Sequence, residues 1–540
     1  MKKKIILSAV NALVLSLALA SCNQTNGNSN PTNGSNGGTN TPTATLDPSE
    51  INELKNVYDE LKAGKKVSFE FWHSFGDAVS APLNELIENF KESMTEKGFN
   101  IQVNVTNKGG GYDGLRSSVN LGADSGSIPT LVLGYPDHFA DYIKQDLLQP
   151  LDSYAYNSDS EIALEGVSKT SNDFITSYWE ETQMVIKGAT HVAAIPFNKS
   201  TEIMYYNSSM VDPILKELGY ITYDEATKTY GEWVNPTWEQ LFKVGEYINN
   251  NKTTLTYTYK NATYKVDKDM QYPIYVDSQA NFFITTSRQW NGAGKYTTID
   301  STGKGTVTAY NNSNKAVQEY FLAKAKNKVF QFPGAGGTGS FGSSYMSTNK
   351  AFISIGSTAG VKNNASKNYY LKTTTVPQKE YGESANNAAI QQGTNLAILK
   401  KASDKYQMMA SWLLIKYLSS AESQVYFSTE TGYLPVRQSA RETEAFQKLL
   451  NCHTWNFSSL NADDKMYYSQ NAEVSKGINS ALAETKYYYT DPAFNGSSIV
   501  RDELETCVND MYLYGKTFDQ AMTAFYNILA KSRISVKKGE

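Results

Sequence analysis

The sequence predicts an α/β protein, and three observations carry that reading. Over residues 66–135, alternating apolar runs and segments of helical period follow one another as strand, helix, strand, helix, strand. The third strand, "PTLVLGYPD" from Pro129, is continuously apolar, as strands buried on both faces of a parallel sheet are. The same kind of strand returns in mid-chain, in "AAIPFNKSTEIMYYN" and "AFISIGSTAGV".

The elements can be justified in order. In Asp47-Pro48-Ser49-Glu50, Asp47 suits an N-cap, Pro48 the first helical position, and Glu50 stands three residues after the cap. Ile51, Leu54, Tyr58 and Leu61 follow at helical spacing and Gly64 ends the segment, so 47–64 reads as a surface helix leading into the domain. In "KKVSFEFWHSFGD", Val67, Phe69 and Phe71 alternate as in a strand, and Trp72, His73, Ser74 and Gly76 leave it as a loop. Ser80 is expected to begin a helix whose Leu83, Leu86, Ile87 and Phe90 share one face. Ile101, Val103 and Val105 mark a second strand, and "GGGYDGLRSSVNL" turns through glycines into another helix. Ligands in such sheets bind where strands end and loops begin. Trp72, His73, Tyr112 and Tyr135 fall at such ends and are candidate contacts.

In mid-chain a strand is expected to bend at Pro196 and resume at Ile203. Thr237 and Gln240 form a capping box ahead of a helix that faces Leu241, Val244 and Ile248 inward. The Thr/Tyr-rich segment 252–268 reads as a hairpin insertion, and "NLAILKKA" as a strand. "YQMMASWLLIKYLSS" is a helix, and "DELETCVNDMYLYG" opens a closing helical segment.

The N-terminus has a different character. Lys2, Lys3 and Lys4 precede an apolar run from Ile5 to Ala20, shorter than the about 20 residues of a membrane span. Its end, Leu19-Ala20-Ser21-Cys22, resembles the lipobox of bacterial lipoproteins, which implies cleavage before Cys22 and acylation of that cysteine. Residues 23–46 are nearly all Asn, Gly, Thr, Ser and Pro. Such a segment buries too little apolar surface to order itself, and reaches roughly 25–30 Å as a tether. The expected location is the cell membrane, lipid-anchored on the extracytoplasmic side.

The formal charge is −4, and loss of the three lysines lowers it by three. That mild acidity argues against a nucleic-acid partner. With 540 residues the chain has room for two or more domain-sized units. Its 37 Tyr, 22 Phe and 7 Trp fit sugar-ring stacking and equally an ordinary core. Export permits a disulfide between Cys452 and Cys507, but the sequence does not show that they meet. The four histidines, His73, His138, His191 and His453, have no metal-ligand spacing, so neither metal nor cofactor is expected.

Two glycine motifs have the form of phosphate-binding loops. Gly334 to Gly339 matches G-x-G-x-x-G, but Pro333 precedes it and no acid lies among residues 353–360, so a loop is the better reading. "GGGYDG" from Gly109 has the form of a strand–helix turn, or of an anion cradle in which Tyr112 makes the contact. No G-x-S-x-G elbow is present, and a glycosidase carboxylate pair is a matter of three-dimensional spacing.

Seven stretches in order resemble the extracellular solute-binding proteins of ABC importers, in the branch that binds carbohydrates and glycerol-3-phosphate. They are "FWHSF" at Phe71, "KGGGYDGL" at Lys108, "IPTLVLGYPD" at Ile128, "IPFNKSTEIMYYN" at Ile195, "PTWEQL" at Pro236, "GTNLAILKKAS" at Gly393 and "TGYLPVRQSA" at Thr431. The resemblance implies a periplasmic-binding-protein-like clamshell of two discontinuous α/β lobes joined by crossing hinge segments. The crossings are expected near 196–205, near 391–398 and after Tyr433. Residues 65–197 with 398–440 would form one lobe, and 198–397 with 441–540 the other. By motif, ligand contacts would fall at Tyr112, Ser200, Ser357, Gly393 and Tyr433, with Trp72 and His73 in the matching loop.

The chain also departs from the glycerol-3-phosphate pattern. That group carries an acid directly after the aromatic of the third strand, whereas here Tyr135 is followed by Pro136 and then Asp137. Ser278 and Asn281 stand where the group has two tryptophans. Its arginine has no clear match, with Arg501 and Arg437 as substitutes, and Tyr487, Tyr488 and Tyr489 lie in its place. Asp137 and Asn281 therefore join the candidate contacts.

The resulting expectation is a monomeric, lipid-anchored binder. It would capture a sugar or glycerol-phosphate type of small-molecule solute and pass it to ABC permease subunits, without catalysis. A surface carbohydrate-active enzyme and an adhesin or structural lipoprotein are the alternatives.

Overall fold

The computed structural model describes residues 45–300, 302–334, 341–400 and 403–539. The signal-like run, Cys22, nearly all of the tether and residues 335–339 of the glycine run lie outside the described residues.

The leading helix spans Pro48–Lys62, and the Asp47 carboxylate accepts the Ser49 amide at 2.8 Å. It is more than a surface element. Leu54, Tyr58 and Leu61 are buried, and the helix packs on the Lys405–Leu418 helix. The helix expected from Ser80 starts earlier, at Asp77, with Gly76 as its cap. The Ser80 hydroxyl instead donates to the Phe75 carbonyl at 3.0 Å. The Thr237–Gln240 capping box forms, as does the hairpin of Thr256–Tyr259 with Ala262–Lys265.

A sheet of ten strands organises the chain. On one side Lys66–His73 runs parallel to Asn100–Asn107 and to Leu131–Gly134. On the other, Ile274–Val276 lies parallel to both Phe330–Gln331 and Ile353–Ser357. Two long strands, Ile195–Asn207 and Ala389–Ile398, join these groups. Residues 195–201 pair antiparallel with 391–396, while 202–207 pair with Ile353–Ser357 on one edge and Leu371–Thr375 on the other. At its far end Ala389–Ile398 pairs with Leu131–Gly134.

The strand expected to bend at Pro196 is continuous to Asn207. The irregularity is a bulge. Asn395 faces Pro196 and Thr394 faces Asn198, which leaves Phe197 as the extra residue. A proline has no amide to donate, so a bulge is a position where the ladder tolerates it.

Much of the aromatic content is core. Phe282 lies 4.9 Å from Phe321, 5.2 Å from Phe332, 5.8 Å from Trp238 and 5.9 Å from Tyr512. Cys452 and Cys507 are both buried and free.

Where the long strands cross, polar groups are buried and paired. Lys199, with no exposed surface, donates to Glu181 and, at 3.2 Å, to the Gly393 carbonyl. Glu181 also accepts the amides of Gln391 and, at 2.9 Å, Asn395. Gly393 sits at φ +98°, and a Cβ there would come within 1.9 Å of the Asn198 carbonyl oxygen. Only glycine permits this crossing.

Candidate functional site

The strand ends converge on a group of tyrosines. Tyr112, opening the helix Gly111–Gly122, meets Tyr135 edge to face at 5.1 Å. Tyr433, just past the helix Ala421–Thr431, stacks on Phe427 at 5.9 Å, and Phe75 stands 6.4 Å from Tyr112 and 6.3 Å from Tyr433. Burial raises the pKa of all three tyrosine hydroxyls, so they remain neutral donors and acceptors at ordinary pH. The Gly393 backbone lies against the Tyr135 hydroxyl. Asn198, from the bulged strand, approaches the hydroxyls of Tyr112 and Tyr433. Its Oδ1 accepts Thr394 Oγ1 at 2.5 Å, but its buried Nδ2 has no hydrogen-bond partner among the described residues.

A charged chain adjoins the tyrosines. Arg501, on the helix Ser497–Tyr512, donates to Asp491 Oδ2 at 2.7 Å and to Asn281 Oδ1 at 2.5 Å. Asn281 passes the contact on by donating to Glu202 Oε1 at 2.9 Å. Burial works against the Arg501 charge, yet Asp491 and Asp137 more than offset it, and its pKa rises. Burial raises the Glu202 carboxyl to about 8, with Asn281 opposing. Arg501 also acts on Tyr135, which links the two groups.

The sequence-derived residues thus divide. Tyr112, Tyr135, Gly393 and Tyr433 come together, and Asp137 and Asn281 meet at Arg501. Trp72 lies within the first strand rather than in a loop; it is half-buried, with Lys108 Nζ 3.5 Å from its ring centre. His73 is not in a loop but ends the first strand; it is 2% exposed, lies between Phe71 and Phe75, and accepts the Phe75 amide on Nδ1. Ser200 is buried in register with Gln392. Ser357 caps a short 3₁₀ turn through the Ala359 amide. Arg437 packs on Phe174 and pairs with Asp173 at 3.1 Å, whereas Arg501 is the arginine that acts on Tyr135. Asn198 and Asp491 escaped the sequence reading; no local pattern marks them.

Two contacts span the chain beside the site. Arg116 Nη2 pairs with Asp502 Oδ2 at 2.8 Å, and Ser498 Oγ donates to Asp141 Oδ2 at 3.1 Å.

Residues 85–452 match the family profile described as bacterial extracellular solute-binding protein. The chain belongs to this family. Among solved structures, UgpB from Mycobacterium tuberculosis in complex with glycerophosphocholine superposes with a TM-score of 0.61 at 18% identity, covering 87% of this chain and 100% of that one. The GacH receptor of Streptomyces glaucescens, solved unliganded and with acarbose, gives 0.59 at 15% identity over 86% and 98% of the two chains. An ABC substrate-binding protein from Listeria monocytogenes in complex with cycloalternan gives 0.61 at 12% identity over 87% and 99%. No curated protein sequence matches. At these identities the likeness concerns the fold. As a solute-binding protein, this chain has the clamshell of two discontinuous α/β lobes, with the long strands as crossing segments.

Proposed function

We propose that this solute-binding protein captures a carbohydrate-type solute between its lobes and delivers it to an ABC permease, held at the extracytoplasmic face of the membrane by lipid on Cys22. In this reading it acts as a monomer and is not a catalyst. Residues 65–197 with 398–440 make one lobe, and 198–397 with 441–540 the other. Closure on solute would let the permease distinguish loaded from empty protein.

The observation that carries the reading is the cluster of Tyr112, Tyr135 and Tyr433, in which Tyr135 adjoins the Arg501–Asp491 pair. Tyrosine faces suit sugar rings, and hydroxyls, carboxylates and a guanidinium together suit sugar hydroxyls. The solved relatives bound to acarbose and cycloalternan are consistent with it.

Calorimetric titration with neutral mono- and oligosaccharides tests the proposal. Wild-type protein should bind one of them, and Tyr433→Ala should weaken that binding at least tenfold while lowering the melting temperature little. Equal loss of fold and binding in Tyr433→Ala would make Tyr433 a core residue and the site wrong.

A further inference from the structure

Beside the Arg501 group lies a half-open cavity of about 40 Å³, lined by the 292–297 loop, Ser287 and Arg288 of the helix Gln279–Asn291, and Tyr489 and Asp491. Two buried polar atoms of its wall lack partners among the described residues, and a guanidinium stands beside them. The half-buried Arg288 lays its guanidinium over the Tyr489 ring at 4.7 Å. Asp491 gives Oδ2 to Arg501, and its buried Oδ1 has no partner. Thr297 Oγ1 is likewise buried and unpartnered. Leaving such groups unsatisfied costs about 1–3 kcal/mol each, so their gathering at one cavity points to an occupant. Consistent with this, burial lowers the Arg288 pKa and raises that of Asp491.

We infer that this cavity is a subsite for one hydroxyl or hydroxymethyl arm of the solute, and that the solute is a neutral polyol or sugar rather than a phosphate ester. The inference rests on the solute-binding reading above. A hydroxyl both donates and accepts, so it satisfies Asp491 Oδ1 and Arg288 together, with Thr297 Oγ1 as the third partner. A phosphate monoester, mostly doubly ionised at neutral pH, is a poor donor to Asp491, and its charge opposes both Asp491 and Asp137. Size agrees with chemistry. The volume admits a water-sized group but not a sugar ring, so the ring stays outside.

The test is calorimetric titration of the full chain with glucose, maltose, maltotriose and glycerol 3-phosphate, repeated on Arg288→Gln, Arg288→Lys and Thr297→Val, with circular-dichroism melts of each. The expected result is that a neutral sugar binds wild type and glycerol 3-phosphate does not. Arg288→Gln should lose about tenfold in affinity, Thr297→Val several-fold, and Arg288→Lys an intermediate amount, with melting temperatures unchanged. Preference for glycerol 3-phosphate would overturn the inference and leave the solute-binding reading standing. So would sugar affinities of all three folded variants within twofold of wild type, which would mean that the cavity holds water only. Binding of neither class would overturn the carbohydrate reading and the subsite with it.

Discussion

Lys199 and Glu181 form an ion pair whose side chains are 0% and 3% exposed, at the point where the two long strands cross. Burial lowers the Lys199 pKa, and Glu181 acts against that shift. Removing one partner strands the other charge in a dry environment, which typically costs 3–5 kcal/mol, while replacing both by apolar residues is often near neutral. Glu181→Leu and Lys199→Met should each destabilise strongly in urea titrations, and the double variant by less than their sum. Additive losses would show that the pair is not coupled.

Gly393→Ala tests the crossing itself. The substitution places a Cβ in the left-handed region and 1.9 Å from a backbone oxygen. The loss should be several kcal/mol, beyond the roughly 1 kcal/mol of an ordinary Gly/Ala exchange. Amide exchange should show the protection lost first at 195–201 and 391–396. A melting temperature within a degree of wild type would contradict the geometry.

The buried Glu202 makes stability pH-dependent. Its pKa rises from 4.5 to about 8 on folding, so the unfolded chain releases this proton at lower pH than the folded one. The contribution is fully present below pH 4.5 and is lost as pH rises toward about 8. Asp277, raised to about 7 by burial, works in the same direction. Glu202→Gln keeps an acceptor for Asn281 but cannot ionise. Its stability relative to wild type should grow between pH 5 and 8, approaching a gain on the order of 4 kcal/mol. A pH-independent difference between the two would refute the assignment.

Cys22→Ser tests the anchor, which lies outside the described residues. Membrane fractionation should find the variant released, with solute affinity unchanged. Continued membrane association would contradict lipid attachment at this position.

Sequence signals of short range were legible. The Asp47 cap, the Thr237–Gln240 box and the 256–265 hairpin depend on neighbours a few residues apart, and all three form. Alternation also held further than it was applied. The period that buries Val67, Phe69 and Phe71 buries His73 as well, in the strand's last position. The bulge at Phe197 was not legible, because it depends on a strand about 200 residues away. Nor was the Arg501–Asn281 contact, which joins residues 220 apart. Tyr112 and Tyr135 were legible as candidates from their places at strand ends, and Tyr433 only from its motif. Asn198 and Asp491 were missed because their significance is a buried atom without a partner, which only three dimensions reveal.

The central claim is met most directly by a crystal structure of the protein with the sugar that binds it in titration. The expected result is one neutral carbohydrate between the lobes, in contact with Tyr112, Tyr433 and Arg501, with a hydroxyl placed between Asp491 and Arg288. A fully occupied ligand elsewhere on the chain, touching none of these residues, would contradict it.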